Sequence, residues 1–204
     1  MRAWLLTNTA YGTWLPGDPR GSVTSVRDMR EEDEPAPSRF EHDAPGESYE
    51  DPLPGLRRSA IEKMNGPPIY LNLDKALAVL AQFQETATIR KWTLKAVAIM
   101  ANHFHLVVTT EDDPSPKKIL ADFKAYASRV LNRRHGQPPS ETWWTTNGSK
   151  RKLRNEQALA DAIHYVLYNQ PYPWPSGAQN LGASSNHAYT LASGSAQNLA
   201  SRER

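Results

Sequence analysis

Apolar residues recur along this chain with two periods, and the two periods separate strands from helices. Residues 3–9 (Ala-Trp-Leu-Leu-Thr-Asn-Thr) predict a first strand. Residues 92–100 and 103–110 predict two more, with Asn102 as the turn between them. Helical spacing appears at 74–89, where Ala76, Val79, Leu80, Phe83 and Ala87 make one stripe behind Asn72 or Asp74 as cap. A second helix opens at Ser115-Pro116 and runs to about Asn132, with Ile119, Phe123, Tyr126 and Val130 on its core side. The last, at 156–169, is capped by Asn155. There Leu159, Ile163 and Val166 form the core stripe, while Ala158, Ala162, Tyr165 and Asn169 share a different face.

Between these elements the pattern lapses. Gly12, Pro16, Gly17, Pro19 and Gly21 make residues 10–21 a loop, in which Tyr11, Trp14 and Arg20 either pin the loop or grip nucleic acid. Residues 23–57 are charged, proline-rich and poor in apolar side chains, which predicts a loosely packed insertion. Asn147-Gly148 signals a hairpin within 142–153. Trp143 and Trp144 precede that turn, and alternation puts one in the core and leaves the other available. From Pro171 to Arg204 the tail reads as weakly structured, so the chain divides into a domain at 1–170 and a tail at 171–204.

Composition narrows the classes. With no cysteine among 204 residues, disulfides and thiolate zinc sites are excluded. Neither a signal peptide nor a membrane span is recognisable, which predicts a soluble cytoplasmic protein. Net charge is only +2, but residues 27–51 hold ten carboxylates against three arginines. That segment is −7 and the rest of the chain +9. A basic body carrying an acidic insertion points to a polyanion partner. Lys117, Lys124, Arg129 and Arg133 on the second helix, with Trp144, Lys150 and Arg151 around the turn, are candidate DNA contacts alongside Arg20.

The candidate chemistry sits at His103-Phe104-His105. Residues two apart in a strand share a face, so both imidazoles project together while Phe104, Leu106 and Val108 enter the core. Such a pair is half of a divalent-metal site, a paired acid/base site, or two polar residues on a solvated face.

Three motifs in this order resemble the IS200-like single-tyrosine HUH transposases, closest to the REP-associated branch. They are His103-Phe104-His105, the basic-helix segment Phe123-Lys124-Ala125-Tyr126-Ala127-Ser128-Arg129, and Tyr165-Val166-Leu167-Tyr168-Asn169-Gln170. The resemblance implies an α+β, ferredoxin-like antiparallel sheet with helices on one face, in a homodimer or a monomer. It implies an endonuclease and strand transferase acting on single-stranded or hairpin DNA, with Tyr165 as nucleophile and a 5′-phosphotyrosine intermediate. It also implies Mg²⁺ or Mn²⁺ on His103, His105 and a third polar side chain. Helical phase favours Asn169 for that third place, with Gln170 open because a helix end can unwind.

Two other classes compete. A domesticated module would bind hairpin DNA without cutting it. A small metallohydrolase would use the same histidines with a carboxylate from Glu111, Asp112 or Asp113.

Overall fold

A computed structural model gives the fold for residues 1–19, 53–170, 181–184 and 187–190, the last two stretches by backbone only. The elements are β1 (Arg2–Thr9), α1 (Pro54–Glu62), α2 (Leu73–Arg90), β2 (Thr93–Ile99), β3 (His103–Thr110), α3 (Pro116–His135), β4 (Ser149–Leu153), α4 (Glu156–Tyr168), β5 (Leu181–Ser184) and β6 (His187–Thr190). Sheet order is β4-β1-β3-β2-β6-β5. The first four of these strands are antiparallel neighbours. With α2 and α3 as crossovers they make the ferredoxin-like arrangement expected of an α+β chain.

Three helices, α2, α3 and α4, start where the sequence provides a cap. Asn72 Oδ1 accepts from Lys75 N at 3.0 Å, Ser115 Oγ from Lys118 N at 3.3 Å, and Asn155 Oδ1 from Ala158 N at 2.8 Å. Each satisfies a donor that a first helical turn leaves open. Inside, α2 and α3 cover one face of the sheet. Phe83 meets Phe104 and Phe123 edge-on at 5.0 and 5.2 Å, with Leu6, Val97, Leu106 and Val108 beneath.

The other face carries α4, so the helices are not all on one side as expected. The residues read as a face apart are what brings α4 there. Ala158 and Ala162 pack with Val166 on a floor of Ala3, Ala96 and Ala98. Small side chains on both surfaces let helix and sheet approach closely.

Other expectations also need correction. Both tryptophans are core: Trp143 and Trp144 are buried, and Trp144 lies edge-on to Phe104 at 5.2 Å. Asn147-Gly148 does not close a hairpin between 142 and 153. It turns the chain into β4, which pairs with β1, and only Trp144 bridges back to Ala10. Gly148 is required there, because a Cβ would sit 2.5 Å from Asn8 Oδ1 and 2.7 Å from Thr7 O. Tyr126 is half-buried outside the core stripe, which Ala127 and Leu131 continue instead. The tail contributes β5 and β6, with β6 running parallel to β2. Of the acidic insertion, only its end falls among the described residues, as the start of α1. No described helix is long and apolar enough to cross a membrane.

Lys124 has a structural task. Its Nζ donates to Asn8 Oδ1 (3.1 Å), Asn147 O (2.9 Å) and Thr145 O, tying α3 to β1 and to the turn before β4. Burial, reinforced by the charge of Lys150, lowers its pKa to about 8. Lys124→Met should destabilise the fold by about 1–3 kcal/mol, because three acceptors lose their donor. The pH dependence has a definite sign. A folded-state lysine pKa below the unfolded value means the unfolded chain holds the extra proton between about 8 and 10.5. The parent should therefore gain stability over Lys124→Met as pH rises through that window. Denaturant unfolding at several pH values reads both effects, and a variant as stable as the parent throughout would contradict the tether.

Candidate nucleic-acid cleavage site

β3 places its residues by alternation. Phe104, Leu106 and Val108 enter the α2/α3 core, and His103 and His105 emerge on the α4 face. Their rings stand at right angles, 4.9 Å apart. Beside them β1 contributes Thr7, in register with His105, and Thr9, in register with His103. Tyr165 comes from α4 above, its ring edge-on to His105 at 5.6 Å.

Each histidine has its Nδ1 engaged. Thr7 Oγ1 is 2.6 Å from His105 Nδ1, and Asn102 Oδ1 accepts from His103 Nδ1 at 2.7 Å. Sequence reasoning found neither partner. The sequence marks Asn102 only as a turn residue, and Thr7 gives no signal until the β1–β3 register is known. His105 is 7% exposed. Burial first, and then the neighbouring His103, lower its pKa to about 3, against a contact with the Gln170 side chain that raises it. At neutral pH this imidazole is uncharged, the state in which it can ligate a metal.

The end of α4 separates Asn169 from Gln170. Helical phase favoured Asn169, but regular helix stops at Tyr168. Asn169 is the C-cap at φ −106°, ψ 16°, and is exposed. Leaving the helix releases Gln170 from that phase and folds it back against His105. Its Nε2 donates to Tyr165 O at 2.9 Å, and its Oε1 is buried with no hydrogen-bond partner among the described residues. A buried amide carbonyl beside His105 suits a third metal ligand, in an oxygen-plus-nitrogen donor set. Among the described residues no group of three His, Cys, Asp or Glu side chains forms a metal cluster.

The proposed DNA contacts divide between the two faces. Arg151 opposes Leu5, whose side chain packs on the α4 side, so it shares the histidine face. Lys150 opposes Leu6 on the other face, where its Nζ donates to Gly148 O at 2.7 Å. Lys117, Arg129 and Arg133 are exposed on α3, across the sheet from the histidines. Arg129 lies 4.9 Å over the Tyr126 ring, and Arg133 joins it along a cleft of about 500 Å³ between α2 and α3. Trp144 is buried, and the Lys124 ammonium is held by three acceptors of the fold. Arg20 lies outside the described residues.

The metallohydrolase reading loses its carboxylate here. Glu111, Asp112 and Asp113 follow the far end of β3, roughly 25 Å along the strand from His103. Asp113 is paired there with Arg2 at 2.6 Å.

Fold and site together define an α+β protein with a histidine pair and a tyrosine meeting on one sheet face. Residues 70–150 match the family described as "Transposase IS200 like", so the resemblance read from the sequence holds over α2, β2, β3, α3 and the turn into β4. Tyr165 and Gln170 lie beyond the matched stretch. One solved structure, described as the REP-associated tyrosine transposase bound to a REP hairpin, aligns over 82% of this chain and 66% of its own. Identity is 9% and the TM-score 0.43. No curated protein matches the chain.

Proposed function

We propose that the protein is a metal-dependent transposase that nicks and rejoins single-stranded DNA through a covalent bond to Tyr165. The observation that carries this reading is the meeting of His103 and His105 from β3 with Tyr165 and Gln170 from α4 and its C-terminal end. The donor set fits a divalent ion held by His103, His105 and Gln170, and Asn169 is the weaker third candidate. Bound there, Mg²⁺ or Mn²⁺ would offset charge on the oxygens of the scissile phosphate.

The chain's own part is nucleophilic. The Tyr165 hydroxyl oxygen forms a bond to phosphorus as the bond from phosphorus to the 3′-oxygen breaks. The 5′ side stays on the protein as a phosphotyrosine, and the proton lost by tyrosine is made good on the departing 3′-oxygen through solvent. The phosphoester energy is retained for a second strand to attack. Arg151 holds phosphate on the histidine face, and Lys117, Arg129 and Arg133 hold DNA across the sheet. Hairpin DNA is the expected partner. In a homodimer built by sheet continuation β4 or β5 would be the joining strand, since β2 is already paired with β6.

Incubation with single-stranded hairpin DNA and Mn²⁺ should give a protein–DNA adduct that survives denaturation. Tight DNA binding without any adduct would favour the non-cleaving module instead. For the third ligand, Gln170→Ala should weaken Mn²⁺ binding by about tenfold or more, and Asn169→Ala should leave it near the parent value. The reverse order in a calorimetric titration would return the place to Asn169.

A further inference from the structure

A metal held by two histidines needs both rings in one tautomer and both pointing at the same spot, and the sheet contains the means to impose this. An imidazole that donates from Nδ1 must present its lone pair at Nε2. We propose that Thr7 and Asn102 are positioning residues that hold His105 and His103 with Nδ1 protonated and Nε2 directed at the cation. This inference rests on the metal reading given above.

The geometry on each side is well defined. Thr7 faces His105 directly across the β1–β3 ladder, with Oγ1 2.6 Å from Nδ1. Threonine is β-branched, so its χ1 is stiff and the hydroxyl is held by the strand itself. Asn102 acts from the other end of the pair. Its Oδ1 has no proton to give, so the 2.7 Å contact fixes the hydrogen on His103 Nδ1. The backbone under it is pinned, because Asn102 O accepts from Ala10 N at 2.7 Å and from Thr13 Oγ1 at 3.0 Å. Thr9 provides an internal contrast. It opposes His103 just as Thr7 opposes His105, yet its hydroxyl lies 2.9 Å from Thr145 Oγ1 and takes no part in orienting a ring.

The test is Mn²⁺ affinity, measured by calorimetry on the full chain. Thr7→Val keeps shape and strand preference while removing the hydroxyl, and should weaken binding by about tenfold or more. Thr7→Ser should restore it to near the parent value. Asn102→Ala should weaken it comparably, by loss of the second orienting bond. Thr9→Val should bind Mn²⁺ like the parent. In metal-free protein, imidazole nitrogen NMR shifts should show protonated Nδ1 on both histidines, with His105 losing that preference in Thr7→Val. If Thr7→Val and Asn102→Ala both bind Mn²⁺ as tightly as the parent, the positioning role is wrong and the metal reading stands. A parent that binds no Mn²⁺ contradicts the metal reading and removes the positioning role with it.

Discussion

Tyr165→Phe should bind single-stranded DNA as the parent does, melt at the same temperature, and cut nothing. The substitution removes one oxygen and leaves the ring that packs edge-on against His105. The hydroxyl is the atom proposed to attack phosphorus, so its loss removes the covalent step itself. Loss of a nucleophile costs about 10³-fold or more in rate. Residual cleavage within about tenfold of the parent would point to water or another side chain as the attacking group. The control is Tyr126→Phe, which should cut nearly normally. Tyr126 belongs to α3, on the opposite face of the sheet, where its hydroxyl accepts from Arg90 Nη2 at 3.5 Å.

The second large effect concerns the histidines. His103→Ala should fold normally, because His103 is only half-buried at the start of β3. It should nevertheless lose Mg²⁺- or Mn²⁺-dependent cleavage by about 10³-fold, since a divalent ion contributes several kcal/mol of charge stabilisation to phosphoryl transfer. His105→Ala should lose as much activity, but its result needs a stability control. The sequence places both rings outside the core, whereas His105 is buried beneath α4 and its removal leaves a cavity. Single-turnover cleavage with each metal, beside thermal melts, reads both quantities. Cleavage at the parental rate by His103→Ala would contradict the metal assignment.

What the sequence made legible was whatever depends on local pattern. The strand at 103–110 agrees with β3 residue for residue, and the two caps it named outright, Ser115 and Asn155, both bond as expected. That the two histidines share a face was legible for the same reason, through alternation, whereas Tyr165 stood out only through the family resemblance. The errors arose where tertiary contacts decide. Ala158 and Ala162 fall on a face apart from the core stripe, yet alanines on β1 and β2 make them the docking surface of α4. Lys124 looked like a cation for phosphate, but three acceptors from separate segments claim it. Thr7 is one threonine among several until strand pairing sets it against His105. Gln170 shows the same limit, since helical phase ceases to apply once Asn169 leaves the helix.

Those local and non-local features meet in the choice of nucleophile. Tyr168 is one turn from His164, its ring tilted against it at 5.1 Å and exposed, so it is the strongest rival on the same helix. Tyr165 instead turns inward to His105. Trapping the protein–DNA adduct with Mn²⁺, digesting it and locating the nucleotide-bearing peptide residue by mass spectrometry distinguishes the two. The account predicts the phosphodiester on Tyr165, in parent protein and in Tyr168→Phe alike. A nucleotide found on Tyr168 or Tyr126 would contradict it.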